Sequence, residues 1–499
     1  MGQSSGKASN VEYRENGDVT LLPTMATTPT TPSEPERSPL ELREDTSVYT
    51  RRWVMLLLFC MYSMSSAYQW IHLNIIGNTL MLYYNESLPG DSFQQETAID
   101  WLSMIYMLAY IPLIVPATWL LDKKGIRICN IVGSCLNCIG AWLKCASVSP
   151  DRFPLLMFAQ TICAVAQLFV LGIPARLAAV WFGPNEVSTA TSFGVFGNQI
   201  GVAIGFLIPP VLVANSIDLK NIGFDLTIMF YGGAAFTTII FIAMIIVFQA
   251  EPPSPPSLAR KLASQSHHSE QYLQSLFRLL QNCGFILLVI SYGINTGCYY
   301  AISTLLNPIV LFYFEGEGEN AGRIGLTIIL MGVLGAIVAG IWLDRTKMFK
   351  ATSVGIYLMS MVGMLVFTFT VSLGHIWIVF VTAGSLGLFM TGYLPVGFEF
   401  AAEITFPESE GTSSGLLNAS AQFFGIVFTI GMRAMINKIS MLSANLTASA
   451  VLLAGTIMTV FIKADYRRQA AGEVMKNALN QEIDVASSSK QTSDTELLD

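Results

Sequence analysis

The sequence carries little charge for its length. Asp, Glu, Lys and Arg make up 12% of its 499 residues, whereas hydrophobic residues make up 53%. A typical soluble domain has about twice that share of charged residues to cover its surface. The net charge of −7 also gives no indication of a surface for nucleic acid. Composition alone therefore indicates a membrane protein.

Histidine and clusters of catalytic side chains are also scarce. Of the four histidines, only His72 falls within a long apolar run; His267 and His268 lie in a polar stretch and His375 in a short loop. No group of His, Asp and Glu suggests a nucleophile–base pair or a metal site, so we expect neither an enzyme nor a cofactor. The eight cysteines fall in apolar runs or at their ends, which excludes an extracellular disulfide framework.

Long apolar runs are what the sequence has in abundance. A transmembrane helix needs about 20 mostly apolar residues, because lipid offers the backbone no outside hydrogen-bond partner. Twelve such runs predict an all-α membrane protein with twelve transmembrane helices. The runs cover residues 53–76, 98–121, 128–146, 155–181, 188–213, 226–248, 285–314, 324–343, 353–373, 376–399, 413–436 and 447–462.

Polar stretches divide the chain into five predicted parts. Residues 1–49 are rich in Ser, Thr and Pro, and residues 466–499 are polar with few aromatic side chains, so both tails are expected to be disordered. Residues 249–282 form a polar linker that separates an amino-terminal half, residues 50–248, from a carboxy-terminal half, residues 283–465.

Lys and Arg are distributed unequally over the predicted loops and helix ends. If the amino terminus is cytoplasmic, most of these residues fall on the cytoplasmic side, as the positive-inside rule requires. Both termini are then cytoplasmic, and the glycosylation sequons at Asn85 and Asn445 lie outside. We therefore expect a multi-pass protein of the plasma membrane with glycans at these two residues.

Internal repetition shows that the twelve spans form two six-helix halves. The segment after the second span contains Asp122 followed by basic residues, and the segment after the eighth contains Asp344 followed by basic residues. Residues 182–186 align with residues 406–410, and the first span aligns with the seventh. Each of these alignments has an offset similar to the sequence distance between Asp122 and Asp344. Three similar offsets in three places indicate a duplicated design.

Two six-helix halves joined by a cytoplasmic linker, each with an Asp-basic segment after its second helix, resemble the major facilitator superfamily. Substrate then binds near the membrane midplane between halves that rock to alternate access. The resemblance implies an inner gate in which Asp122 and Asp344 contact helix ends or basic residues such as Arg176 and Arg345. The positive-inside rule explains the basic residues but not the repeated Asp. Gly201, within a glycine stripe of the fifth span, is expected to permit close helix approach during gating.

The deepest polar positions of the predicted spans hold neutral side chains, Gln167 and Gln422 among them. Trp70 in the first span and Tyr300 in the seventh occupy equivalent positions of the repeat, and Tyr299 is adjacent. An aromatic face attracts a quaternary ammonium ion by about 0.5–2 kcal/mol, and an amide could bond to a hydroxyl group of the same ligand. Ordinary packing also explains deep aromatic side chains, but the equivalent positions favour a cation cage.

Several longer strings, with their spacing, are more specific than the overall architecture. They are residues 68–71, 99–104, 181–190, 320–327, 390–395 and 407–418. These strings resemble the feline leukaemia virus subgroup C receptor-related transporters, and the likeness covers residues 50–468. The resemblance implies transport of choline and in part ethanolamine, after an earlier link to haem. It also implies that the choline site is lined by Trp70, Met107, Gln167, Tyr299, Tyr300 and Gln422.

Haem remains the alternative substrate, and a receptor or scaffold without transport is the alternative function. Haem needs a wide cavity, often an axial ligand, and basic groups for its propionates, which the predicted midplane does not offer. A scaffold would not require a polar, aromatic midplane between repeats. We therefore expect a monomer that moves a small organic cation by facilitated diffusion, without a proton relay.

Overall fold

Twelve helical segments of the chain are long and apolar enough to cross a membrane, as the apolar runs predicted. They are seen in a computed structural model that describes residues 48–183, 186–213, 218–254, 256, 272–406, 408, 410–463 and 465–470. Within these ranges the regular structure is helical, without a strand. The helices are α1 Arg52–Ile71, α2 Gly77–Tyr83, α3 Ser92–Leu121, α4 Lys123–Ala146, α5 Phe153–Leu171, α6 Pro174–Trp181, α7 Val187–Leu212, α8 Leu219–Val247, α9 Tyr272–Gln281, α10 Cys283–Tyr313, α11 Gly318–Thr346, α12 Phe349–Thr370, α13 Ile376–Met390, α14 Tyr393–Thr405, α15 Glu410–Lys438 and α16 Met441–Phe461.

Three of the predicted spans are interrupted rather than continuous. The first breaks after α1 and resumes as α2, with a 3₁₀ turn at Asn74–Ile76 between them. The fourth breaks between α5 and α6, where Pro174 begins the new helix because proline lacks the N–H that would continue the old one. The tenth breaks at Gly392, where a Cβ atom would lie 2.4 Å from the Leu388 carbonyl oxygen. The fourth and tenth spans are equivalent in the repeat, so this shared break extends the internal symmetry.

Each half turns sharply after its second span, at the two Asp-basic segments. The turn of the first half lies at Gly125, near the start of α4, where φ is 74°, a conformation that glycine adopts without steric cost. Lys347 ends α11 with a φ of 53°, so the equivalent turn of the second half is made without glycine. The side chains of Asp122 and Asp344 lie outside the described residues, and their contacts with helix ends remain a prediction.

The halves meet mainly through two pairs of helices. We call the membrane face that carries the loop after α2 the first-loop face, and the opposite face, where α9 lies, the linker face. Helices α7 and α11 cross between the halves, and so do α3 and α15. The first crossing is close, because a Cβ atom at Gly322 or Gly325 would lie 2.4 Å from an atom of Phe206. These glycines lie in the first turns of α11, so the crossing joins the halves near the first-loop face.

The linker contains a helix that the sequence analysis did not predict. This helix, α9, is amphipathic and packs against α10 and α15. Its Arg278 pairs with Glu408, at 2.6 Å, in the segment between α14 and α15. Arg52, at the start of α1, pairs with Glu186, at 3.0 Å, between α6 and α7. Each half is therefore braced at the linker face by an Arg–Glu pair of its own.

Candidate functional site

A cavity lies between the two halves at mid-depth of the spans. Its wall comes from α1, α3, α5 and α7 on one side and from α10, α14 and α15 on the other. The empty space, including the part open to solvent, is about 610 Å³. Five of the six residues predicted to bind substrate line it: Trp70, Gln167, Tyr299, Tyr300 and Gln422.

Aromatic rings from opposite halves meet at this cavity. The ring centroids of Trp70 and Tyr300 are 5.6 Å apart, with the planes at 74°. Tyr299 adds a third ring, whose centroid is 5.7 Å from that of Tyr300. Helices α1 and α10 are the first helices of the two repeats. Trp70 and Tyr300 occupy equivalent positions on them and therefore lie at the same depth in the membrane. The mostly buried faces of these rings offer a surface that attracts a desolvated organic cation.

Met107, the sixth predicted residue, does not lie on the cavity wall. It is 1% exposed, and its Sδ atom would lie 2.9 Å from a Cβ atom at Gly425, a position that also contacts the Tyr300 ring. Met107 therefore packs beside Tyr300 from the opposite half. Its direct role in the choline site, which the resemblance implies, stays a prediction.

Several polar atoms on the cavity wall have no protein partner. They are the Oε1 atoms of Gln167 and Gln199 and the Nδ2 atom of Asn198. A buried donor or acceptor left unpaired costs about 1–3 kcal/mol, so these atoms are suited to a ligand that supplies both a donor and an acceptor. Tyr106 lines the same wall and was missed by sequence reasoning; its place one turn from Tyr110 on the cavity face of α3 is the signal that could have found it.

The described side chains that line this cavity include no Asp, Glu, Lys, Arg or His. A larger cavity, with about 750 Å³ of empty space by the same measure, opens at the first-loop face and does carry charge, from Glu317, Glu319 and Arg323. Those groups are already satisfied, since Arg323 pairs with Glu319 at 3.1 Å and Asn320 donates to Glu317 at 2.6 Å. The smaller cavity, with its unpaired atoms and rings from both halves, is therefore the candidate binding site.

A buried ion pair joins the halves on the first-loop side of this cavity. Arg433 of α15 donates from Nε and Nη2 to the two carboxylate oxygens of Asp100 of α3, at 2.6 and 2.8 Å. Their side chains are only 7% and 3% exposed, and Glu96 lies 3.4 Å from the same guanidinium. The two residues are 333 positions apart in the sequence, and the sequence analysis did not pair them.

Neutral hydrogen bonds join the halves on the same side. Asn307 of α10 donates to the carbonyl of Ile75, at 2.7 Å, in the turn that interrupts the first span. The hydroxyls of Ser103 and Thr304 are 2.9 Å apart. The ion pair, these hydrogen bonds and the α7–α11 crossing thus close the molecule on the first-loop side of the cavity.

The residues predicted to gate the inner face are only partly described. Arg176 is half-buried at the start of α6 and has an interaction partner, and Arg345 is exposed at the end of α11. Their role with Asp122 and Asp344 remains a prediction. Gly201 does permit a close helix approach: a Cβ atom there would lie 2.2 Å from the Met64 carbonyl oxygen, so it packs α7 against α1 within one half, and its part in gating remains a prediction.

Gly201→Ala should therefore disturb folding. The added methyl group would overlap backbone, and overpacking of this kind costs about 1–3 kcal/mol. We expect a lower melting temperature and less protein at the cell surface, measured by thermal unfolding in detergent and by surface labelling. Gly232→Ala in α8 is the matched control, because a Cβ atom there meets nothing within 4 Å. Equal stability of the two variants would contradict this account of Gly201.

The two predicted glycosylation residues differ in exposure. Asn85 is exposed after α2, and its Oδ1 atom accepts a hydrogen bond from Gln95 at 3.1 Å. Asn445 is 0% exposed within α16, so its side chain has no room for a glycan. The burial contradicts the prediction at Asn445 and leaves Asn85 as the candidate.

Comparison with known proteins places this architecture in a family. The family model described as Major Facilitator Superfamily matches residues 54–430. "Choline/ethanolamine transporter flvcr2b" of Danio rerio is 53% identical over 435 residues, covering 87% of this chain and 88% of the relative. "Choline/ethanolamine transporter FLVCR2" of Homo sapiens is 52% identical, with 90% and 84% covered. "Choline/ethanolamine transporter FLVCR1" of Felis catus is 48% identical, with 91% and 79% covered.

Solved structures of distant proteins share the fold. A bacterial homologue of the human lysosomal transporter Spinster, inward-facing and occupied, has a TM-score of 0.61 at 12% identity, covering 85% of this chain and 99% of the other. The fucose:proton symporter FucP in its outward conformation has a TM-score of 0.59 at 15% identity, covering 83% and 99%. The resemblance stated from the sequence is confirmed: the chain belongs to the Major Facilitator Superfamily and, within it, to the FLVCR family of membrane transporters.

Proposed function

We propose that this transporter carries choline, and also ethanolamine, through the cavity between its halves. The observation that carries the proposal is the ring pair of Trp70 and Tyr300, one from each half, on a wall whose described side chains include no Asp or Glu. The quaternary ammonium of choline has no N–H to donate, so it needs no carboxylate, and aromatic faces stabilise it by cation–π attraction. The relatives' printed substrates agree with this chemistry.

The unpaired amides supply the second part of the recognition. The hydroxyl of choline can donate to the Oε1 atom of Gln167 or Gln199 and accept from Nδ2 of Asn198. The primary ammonium of ethanolamine has N–H donors that the same acceptors could satisfy. One cavity can therefore hold both ligands, with the rings dominating for choline and the amides for ethanolamine.

Haem fits this cavity poorly. The space within it that water molecules can occupy is about 70 Å³, enough for roughly five waters. A space of this size suits a molecule as small as choline. The described side chains on its wall include tyrosines, which can ligate haem iron, but no Lys or Arg for the propionates. The size and lining thus favour a small cation.

The conformation supports alternating access, and we place the transporter in the plasma membrane. If the positive-inside prediction holds, the first-loop face is extracellular and both termini are cytoplasmic. The contacts between the halves described above would then close the outer side of the site, as in an inward-facing transporter. The inner gate involving Asp122, Asp344, Arg176 and Arg345 would close in the opposite state.

The direct test is uptake of labelled choline into cells that express the chain at the surface. We expect saturable uptake that unlabelled choline and ethanolamine compete for, whereas haem does not. No uptake above that of cells without the chain would reject the proposed function and favour a receptor or scaffold.

Uptake should be driven by the electrochemical gradient of the substrate alone, so that membrane potential affects it. The described lining of the cavity holds no carboxylate or histidine for a coupled ion, so the substrate carries the only moving charge, with about 2.3 kcal/mol available per 100 mV. Depolarisation should slow uptake, while replacement of sodium, or removal of a pH gradient at fixed potential, should not. Loss of uptake without sodium would contradict facilitated diffusion.

Gln167→Ala should act on the hydroxyl end of choline only. Loss of one neutral hydrogen bond costs about 0.5–1.5 kcal/mol, a modest rise in the half-saturation concentration. Tetramethylammonium, which has the cation without the hydroxyl, serves as the matched ligand and should compete equally well against the variant and the parent. An equal loss for both ligands would show that Gln167 shapes the cavity rather than binding the hydroxyl.

A further inference from the structure

A buried lysine lies in the amino-terminal half outside the cavity wall. Lys144 of α4 is 2% exposed, and its Nζ atom donates to the Oε1 atom of Gln69 at 2.9 Å. Among the described residues no carboxylate forms an ion pair with it. A buried ammonium group without a counterion is costly, so its retention calls for an explanation that packing alone does not give.

The partner of Lys144 is held from several sides. The Nε2 atom of Gln69 donates to the Oδ1 atom of Asn137 at 2.8 Å, and the thiol of Cys163 donates to the Oε1 atom of Gln69 at 3.2 Å. The Nε2 atom of Gln160 donates to the main-chain carbonyl of Gln69 at 2.8 Å. The carbonyls of the last helical turn lack partners within the helix, and Gln160 supplies one at the point where the first span breaks.

Gln69 directly precedes Trp70, the ring that faces Tyr300. Side chains of consecutive helical residues point about 100° apart, so a clamp on Gln69 fixes the backbone of Trp70 while leaving its ring on the cavity wall. Beyond Ile71 the α-helix is followed by a turn, so the last turn of α1 is not stabilised by further α-helical hydrogen bonds. The polar groups around Gln69 stabilise it instead.

We propose that Lys144 is a positioning residue for the substrate: through Gln69 it holds Trp70 where its ring can contact the ammonium group. The inference rests on the proposed function, because it assumes that Trp70 binds a cation. Lys144 itself does not touch the substrate. Its contribution is the alignment of a ring across the interface between the halves.

The test is a double-mutant cycle between Lys144→Met and Trp70→Phe, read as half-saturation for choline uptake at matched surface expression. We expect Lys144→Met to raise half-saturation by about threefold to tenfold, with the maximal rate per surface molecule retained. In that background Trp70→Phe should add less than it does alone, since the ring is already misplaced. Strictly additive effects, or unchanged half-saturation in Lys144→Met, would overturn the proposal.

Companion variants separate positioning from general damage. Lys144→Arg keeps a donor for Gln69 and should recover most of the affinity. Gln160→Met removes the second hold on Gln69 and should also raise half-saturation. Tyr84→Phe, which removes a buried hydrogen bond of 2.8 Å to the carbonyl of Ser147 in the same half, is the control and should leave half-saturation unchanged. If the parent chain takes up no choline, the proposed function fails; if it does and the cycle is additive, only the role of Lys144 fails.

Discussion

Replacement of Trp70 by Ala is expected to raise the half-saturation concentration for choline by more than tenfold. Cation–π attraction at a desolvated site is worth about 2 kcal/mol or more, and a difference of about 1.4 kcal/mol is already tenfold in affinity. Trp70→Phe keeps a weaker ring and should lose only about threefold. Uptake of labelled choline at matched surface expression measures both effects.

The difference between the Ala and Phe variants shows whether Trp70 binds the cation or only fills space. If Trp70 only fills space against Tyr300, then Phe and Ala should rank by volume for every ligand, including neutral analogues in which carbon replaces the ammonium nitrogen. If it binds the cation, the penalty should vanish for such an analogue. Trp377→Ala is the control, since that side chain is 77% exposed on the lipid-facing side of α13. Equal uptake by Trp70→Ala and the parent would remove the cage.

The repeat explains why much of the site could be predicted from the sequence. Trp70 and Tyr300 occupy equivalent positions of the first and seventh spans, and two halves that face each other bring equivalent positions to a common axis. Gln167 and Gln422 were identified because lipid makes deep polar side chains conspicuous. Hydropathy and the internal repeat are local properties of the sequence, and they are sufficient to predict features that belong to a single helix.

Contacts between helices were not predictable in the same way. Lys144 lies near the end of a predicted span, but it is buried against Gln69, which lies far away in the sequence. Gly201 was recognised as a close-approach residue, yet the sequence did not say that its neighbour is α1 of the same half. The sequon at Asn445 has the right residues, but they lie inside a packed helix. In each case the deciding fact is which neighbour a side chain meets.

Arg433→Gln is expected to shift the transporter toward a state open at the first-loop face. Breaking a buried pair leaves the other charge uncompensated and costs about 3–5 kcal/mol, and here that cost falls on the closed state, in which Asp100 and Arg433 are 2.6 Å apart. Opening at the first-loop face exposes Asp100 to water and removes most of this free-energy cost. Because about 5.5 kcal/mol converts a 1:99 population into 99:1, a large part of the molecules should change state.

The shift can be measured as access to the cavity from outside the cell. Leu394 lines the cavity, so Leu394→Cys in a chain without its native cysteines should react faster with a membrane-impermeant maleimide when Arg433→Gln is present. Asp100→Asn should act in the same direction, because it breaks the same pair from the other half. Arg323→Gln is the matched control: its 3.1 Å pair with Glu319 is exposed and lies within α11, and such pairs contribute at most about 1 kcal/mol. If Arg433→Gln and Arg323→Gln label at the same rate, the buried pair does not hold the outer side closed, and the close crossing of α7 on Gly322 and Gly325 must do so instead.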